Sequence, residues 1–297
     1  NTALDGLFYD VSALSEAERD ALRSTDKIEG MILEVGPSWE PSLKVWNTVA
    51  QCEGLGPEGL GSEGRDPEGL SPRYAAISVA GVGSSALGAA ALARNVADAL
   101  RGKVLAVVSG HGLSDIASEA AGGFFLFGGV NAMRHSANAF DTAFETMRTL
   151  SPWFPVQKPP SVDPGDSFRL ADFSEDVKAL VALLKGAVEC DWLVGHSKGN
   201  LVISEALYAL RADSEDRFLE VASRIPIVTF GARIAMPRQV ETVIDVMGDL
   251  DTFGALNSRP DIGVDVSVPG AWHHTNTRLP FHVPVAKVLE GIFRERG

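Results

Sequence analysis

Cysteine is scarce in this chain. Its 297 residues hold two, Cys52 and Cys190, with no C-x-x-C and no regular spacing. That gives no basis for a disulfide framework or a thiolate metal site, and Cys190, just ahead of an apolar run, reads as buried and reduced. Positive charge is also short. Lys and Arg number 26 against 39 Asp and Glu, a formal net charge of −13 with a pI near 4.9. A chain so acidic lacks the general basic surface that nucleic acid or anionic lipid attracts. No apolar run approaches the ~20 residues of a transmembrane helix, so no stable membrane insertion is expected. No signal peptide is visible. That inclines the expectation to the cytoplasm, while a chain that starts at Asn1 without Met leaves the compartment open. The small-residue loop Gly81-Val82-Gly83-Ser84-Ser85 is not followed by the Gly-Lys-[Ser/Thr] of a P-loop, which removes that phosphate cradle.

What is present is ordinary in bulk and pointed in one place. Hydrophobic residues make up 45% and charged residues 22%, enough for a sizeable core. The pointed place is Asp191-Trp192-Leu193-Val194-Gly195-His196-Ser197-Lys198-Gly199-Asn200-Leu201-Val202-Ile203. An apolar run stops at a Gly-x-Ser-x-Gly, and a helical pattern begins at once. This is the sequence form of a strand–turn–helix corner that presents a serine. Gly195 and Gly199 fit a tight corner, and Ser197 is expected in a strained backbone with an exposed hydroxyl at a helix N-terminus.

Around that corner the pattern alternates strand and helix. Residues 1–72 read as an N-terminal extension and loop packed on the core; residues 1–50 are expected to be helical with loops, with Pro37 and Pro41 breaking the apolar stretch from Met31 to Val49. Glu53 to Pro72 repeats Gly-Pro-Glu-Gly-Leu as Asp-Pro-Glu-Gly-Leu and reads as a long surface loop. The main domain, 73–297, opens with a strand at Tyr74–Ala80, a helix at Leu87–Leu100 and a strand at Lys103–Val108, a βαβ unit that implies a parallel sheet. Ile116 to Leu170 fits no such unit and reads as a lid-like insertion ahead of the nucleophile strand. Ser174 is placed to cap a helix whose apolar stripe is Val177, Leu180, Val181, Leu184 and Val188. Further strands are expected at Ile225–Phe230, Val240–Met247 and Asp261–Val268, and a last helix at Pro284–Arg294.

A serine hydroxyl is a weak nucleophile until a base takes its proton and an acid orients that base. In a strand-edge arrangement of this kind the chain order is Ser, then Asp or Glu, then His. Asp249 and Asp251 both follow the Val243–Met247 run, and Asp245 lies inside it. His273 and His274 both follow the Val266–Val268 run. His196, beside Ser197, reads as a packing residue, and His111 with Asp115 as turn formers. Adjacent histidines rarely converge on one ion, so no metal site is expected from His273, His274 and His282. Phe124, Phe125 and Phe127 either line an acyl pocket or form a core cluster under the insertion.

With these motifs set out, the span from Tyr74 onward resembles the α/β-hydrolase superfamily of serine esterases and lipases. Ala80-Gly81-Val82-Gly83-Ser84-Ser85 resembles its oxyanion loop, with Ala80 where the family often has His. Gly110-His111-Gly112-Leu113-Ser114-Asp115 resembles its Gly-x-Gly-x-Ser-Asp turn, and Gly195 to Gly199 its nucleophile box. Gly248-Asp249-Leu250-Asp251 resembles its Gly-x-x-Asp, which favours Asp251 over Asp249. Gly270-Ala271-Trp272-His273 resembles its Gly-x-x-His, which favours His273 over His274. The resemblance implies an α/β fold, a mostly parallel sheet with helices on both faces. It also implies an oxyanion hole made by the backbone N–H groups of Val82 and Lys198, each such donor being worth ~3–4 kcal/mol to the transition state. The implied activity is hydrolysis of a carboxylic ester, small or lipid-like, through a Ser197–Asp251–His273 triad with no cofactor. Acyl transfer or thioester hydrolysis on the same triad, a polyester or lipid depolymerase, and a hydrolase-like scaffold that binds without turnover are the alternatives. The oligomeric state is left open.

Overall fold

Short apolar runs that end at glycine, proline or a polar cluster form the strands of this protein. The computed structural model describes residues 2–23, 29–46, 73–81, 84–109 and 174–296. Its strands are β1 (Ile32–Val35), β2 (Leu43–Trp46), β3 (Arg73–Val79), β4 (Val104–Val107), β5 (Glu189–His196), β6 (Ile227–Phe230), β7 (Val243–Gly248) and β8 (Val266–Val268). They form one eight-stranded sheet in the order β2-β1-β4-β3-β5-β6-β7-β8. From β4 to β8 every neighbour is parallel, while β1 runs antiparallel to both β4 and β2. The chain is therefore an α/β protein with a mostly parallel sheet.

Both faces of that sheet are covered, which is why its central strands are mostly apolar and their inner residues, such as Ile77, Val79, Leu193, Val194, Ile227 and Val228, are buried. The helices are α1 (Thr2–Phe8), α2 (Glu16–Arg23), α3 (Ala86–Leu100), α4 (Glu175–Ala182), α5 (Lys198–Asp213), α6 (Glu215–Arg224), α7 (Thr252–Leu256) and α8 (Val285–Arg296). Val104 and Ala106 join Tyr9, Leu14, Leu22, the buried face of α3 and Leu289 of α8 in one cluster. Leu105 and Val107, between them in sequence, join Val177, Leu180, Leu207 and Phe218 of α4, α5 and α6 in the other. Alternation along one strand thus feeds two helical layers.

The capping signals behave according to their local geometry. Ser15 and Glu18 close a reciprocal capping box at the start of α2, Glu18 N–H donating to Ser15 Oγ at 3.2 Å and Ser15 N–H to Glu18 Oε2 at 2.8 Å. Glu18 then pairs with Arg94, itself buried in α3, at 2.6 Å, which docks α2 on the core. Ser174 precedes α4, but its hydroxyl does not cap the helix. It bonds Asp176 and, at 3.2 Å, Glu29. The stripe predicted for this helix outlasts it: α4 ends at Ala182, and Val188 is buried beyond a π turn.

Three sequence expectations are corrected. Residues 32–46 are not helix broken by proline. Pro37 sits in the turn between β1 and β2, where its carbonyl accepts from Glu40 N–H at 3.0 Å, so the prolines delimit two strands that extend the sheet. The last strand is only Val266–Val268. Val264 is exposed, and Asp265 meets Asp245 with its N–H donating to Asp245 O at 3.0 Å and its carboxylate accepting from Asp245 N–H at 2.8 Å. The strand expected from Val240 begins at Val243, because Val240 N–H closes a turn onto Pro237 O. The expected loop at 53–72 and the insertion 116–170 lie outside the described residues. Among the described residues no helix is long and apolar enough to cross a membrane.

Candidate active site

Parallel strands point the same way, so loops that leave their C-terminal ends gather along one rim. Ser197 follows β5, Asp251 follows β7 and His273 follows β8, and all three stand on that rim. Ser197 Oγ lies 2.9 Å from His273 Nε2. His273 Nδ1 lies 2.9 Å from Asp251 Oδ2 and 3.1 Å from its Oδ1. A carboxylate only accepts, so the imidazole carries its hydrogen on Nδ1 and presents Nε2 as acceptor to the serine hydroxyl.

The corner under Ser197 is fixed by close approach. Ser197 has φ 54° and ψ −121°, outside the regions a side chain ordinarily allows. Its N–H donates to Phe230 O at 2.8 Å, which ties the corner to the end of β6. A Cβ on Gly199 would lie 2.1 Å from Val79 O, and one on Gly195 would lie 2.2 Å from Asn200 Oδ1. Asn200 is fully buried and donates to Phe230 O at 3.1 Å and Ala232 O at 2.9 Å. No motif flagged Asn200. Its signal is a polar residue in the first turn of an otherwise apolar helix.

Asp251 is the N-cap of α7, and its Oδ1 accepts from Gly254 N–H at 2.6 Å while the carboxylate faces His273. Asp249, the rival acid, is exposed and accepts from Gly270 N–H at 2.6 Å. It braces the turn and does not reach an imidazole. His274, the rival base, is turned away, with Nε2 donating to Pro280 O at 3.0 Å, and burial lowers its proton affinity. His282 donates to Leu279 O. Asp245 is buried in β7 against Thr229. Among the described residues no group of three or more His, Cys, Asp or Glu side chains is arranged to hold a metal ion.

Two expectations about this site change. Ser197 is not freely exposed. It keeps 7% of its surface and His273 keeps 2%, because aromatic rings crowd the imidazole: Phe253 stands edge-on at 4.8 Å and Phe8 at 6.2 Å between centroids. His196 is more than packing. Its ring lies 5.1 Å from that of His273, and its Nε2 donates to His273 O at 2.8 Å. Lys198 opens α5 next to the serine, while Val82 and the rings of Phe124, Phe125 and Phe127 lie outside the described residues.

The loop that carries His273 is held by the N-terminal segment. Thr275 N–H donates to Phe8 O at 2.7 Å, Asn276 Nδ2 to Gly6 O at 2.5 Å, and Arg278 Nε to Ser12 Oγ at 2.9 Å. Thr277 bonds Asp10. The same segment reaches the loop before α3, where Asp5 accepts from Ser85 N–H at 2.8 Å. Nothing in the motifs of the main domain pointed to these residues. Buried, Tyr9 loses ionisation: its phenol is raised well above the usual tyrosine range, chiefly by desolvation. In comparisons with protein-family models, with curated proteins and with solved structures, nothing matches this chain.

Proposed function

We propose that this protein is a serine hydrolase of the α/β-hydrolase kind that cleaves a carboxylic ester. The observation that carries the reading is the unbroken line from Ser197 Oγ through the His273 ring to the Asp251 carboxylate, with both steps at 2.9 Å. In that line Ser197 attacks the ester carbonyl as His273 Nε2 takes its proton. The imidazolium returns the proton to the leaving alcohol. Water, deprotonated by the same Nε2, then releases the acid from the acyl-serine. Asp251 fixes the tautomer and stabilises the imidazolium. Lys198 N–H, at the start of α5 beside Ser197, and Val82 N–H are the proposed oxyanion donors. The rings of Phe8 and Phe253 beside His273 favour an ester with an apolar acyl or alkyl part.

A fluorophosphonate probe tests this reading, since it reacts with an activated serine and not with an ordinary one. Wild type takes one label, and Ser197→Ala takes none. Equal labelling of the two proteins, or no labelling of wild type, removes the proposal. Product analysis with added alcohol or thiol acceptors then separates hydrolysis from acyl transfer, because both pass through the same acyl-serine.

A further inference from the structure

Two buried side chains outside the reacting trio close a second circuit around it. Tyr9 and His196 each keep 1% of their surface. Gly81 N–H donates to Tyr9 Oη at 2.7 Å, Tyr9 Oη lies 2.9 Å from His196 Nδ1, and His196 Nε2 lies 2.8 Å from His273 O. The proton positions follow without choice. A carbonyl only accepts, so His196 carries its hydrogen on Nε2. Its Nδ1 is then an acceptor, and the one phenolic hydrogen goes to it. Burial keeps both groups in these forms. It pushes His196 down to about 3, aided by His273 nearby, and raises the Tyr9 phenol.

The result is that two consecutive residues grip His273 at two points. Ser197 engages its ring at 2.9 Å and His196 its carbonyl at 2.8 Å. Through Tyr9 the same circuit reaches Gly81, where a Cβ would lie 2.8 Å from Ser197 Cβ. The Gly81 amide is thereby committed to Tyr9. We propose that Tyr9 and His196 are positioning residues that hold Gly81 and the backbone of His273 in register with Ser197, so that the N-terminal segment, which carries no reacting atom, is a working part of the site. This rests on the hydrolase reading above.

The test uses the full chain, p-nitrophenyl butyrate as substrate, and a fluorophosphonate label to count competent sites. Tyr9→Phe keeps the ring and deletes the junction. It is expected to lower kcat per labelled site about 10- to 100-fold with KM within about threefold, the size of loss that small misplacement produces. His196→Gln places an amide N–H where Nε2 stood and keeps the bond to His273 O. His196→Asn is shorter and keeps only the Tyr9 side. The Gln variant is therefore expected to retain at least about 10-fold more kcat than the Asn variant, at similar KM. A purely structural role would lower the folded fraction and leave kcat per labelled site unchanged. An active wild type with Tyr9→Phe at wild-type kcat, or with the Gln and Asn variants equal, overturns the positioning alone. A wild type that neither takes the label nor turns over ester removes the hydrolase reading, and this proposal with it.

Discussion

The two parts of the site that meet at the serine–histidine bond are built in opposite ways. The serine corner is short. Between the end of β5 and the start of α5 lies Ser197 alone, and its geometry comes from glycines pressed against Val79 and Asn200. The histidine loop is long, running from Pro269 to Pro284 with no helix or strand. Its shape comes from contacts with residues more than 260 positions away, such as Thr275 to Phe8 and Asn276 to Gly6. One partner is held by glycines of its own turn packed against β3 and α5, the other by hydrogen bonds from the far end of the chain. Equal precision at the meeting point does not require equal means, and the two means fail differently.

The largest expected effect ignores that difference. Ser197→Ala and His273→Ala should each lower kcat for p-nitrophenyl butyrate by ~10⁴-fold or more, and the double variant no further, because residues of one catalytic unit are not additive. Initial rates decide it, and a multiplicative double variant would mean that the two act separately. Next comes Asp251→Asn, expected at ~10³–10⁴-fold in kcat because an amide cannot hold the required tautomer. Asp249→Asn, in the same turn, should stay within about threefold, and comparable losses at both positions would break the assignment of the acid.

The comparison itself is sharpened by one substitution in each part. Gly199→Ala drives a methyl into the end of β3 and should destabilise the fold by about 2–3 kcal/mol. Asn276→Ala removes the bond to Gly6 O and should destabilise by about 1 kcal/mol. Denaturant midpoints measure both. Per folded molecule, the loop variant should lose the larger share of kcat. A corner variant that keeps its stability, or a loop variant that keeps full kcat, would erase the distinction drawn here.

The same contrast explains how much was legible in the sequence. The corner could be read because its sequence mark lies within the five residues Gly195 to Gly199, although the groups that press on it, Val79 and Phe230, come from neighbouring strands. The Tyr74 strand, the α3 helix and the alternation of strand and helix were equally readable, since periodicity and caps are local. Residues 32–46 are ambiguous in sequence because two prolines look alike whether they interrupt a helix or bound a hairpin turn. Only the partner strand β4 decides between those, and it is distant in sequence. Asp249 and Asp251, or His273 and His274, could not be separated by spacing alone, because both members of each pair follow the same strand and only the fold selects one. Tyr9, Asp5 and Asn276 left no trace in any motif. Their role exists only once the N-terminal segment lies across the rim.

The smallest expected effect concerns the strand that delivers Asp251. Asp245 is buried in β7, and burial raises its carboxyl from 3.8 to about 6, with Asp265 adding to the rise and Thr229 opposing it. The folded value lies above the unfolded one, so the folded protein binds more protons between those two values. Stability from this group is full below the unfolded value and falls as pH rises through about 6, where the fold must carry a buried carboxylate. Between pH 5 and 7 the loss is about 1 kcal/mol. Asp245→Asn is isosteric, keeps an acceptor for Thr229 and does not ionise, so its stability should change less over that interval, while kcat at Ser197 stays near wild type. Thermal midpoints at pH 5 and 7 for both proteins test the sign. A wild type that gains stability relative to Asp245→Asn as pH rises would place the charged carboxylate among favourable partners, and the strand beneath Asp251 would then be held by charge and not in spite of it.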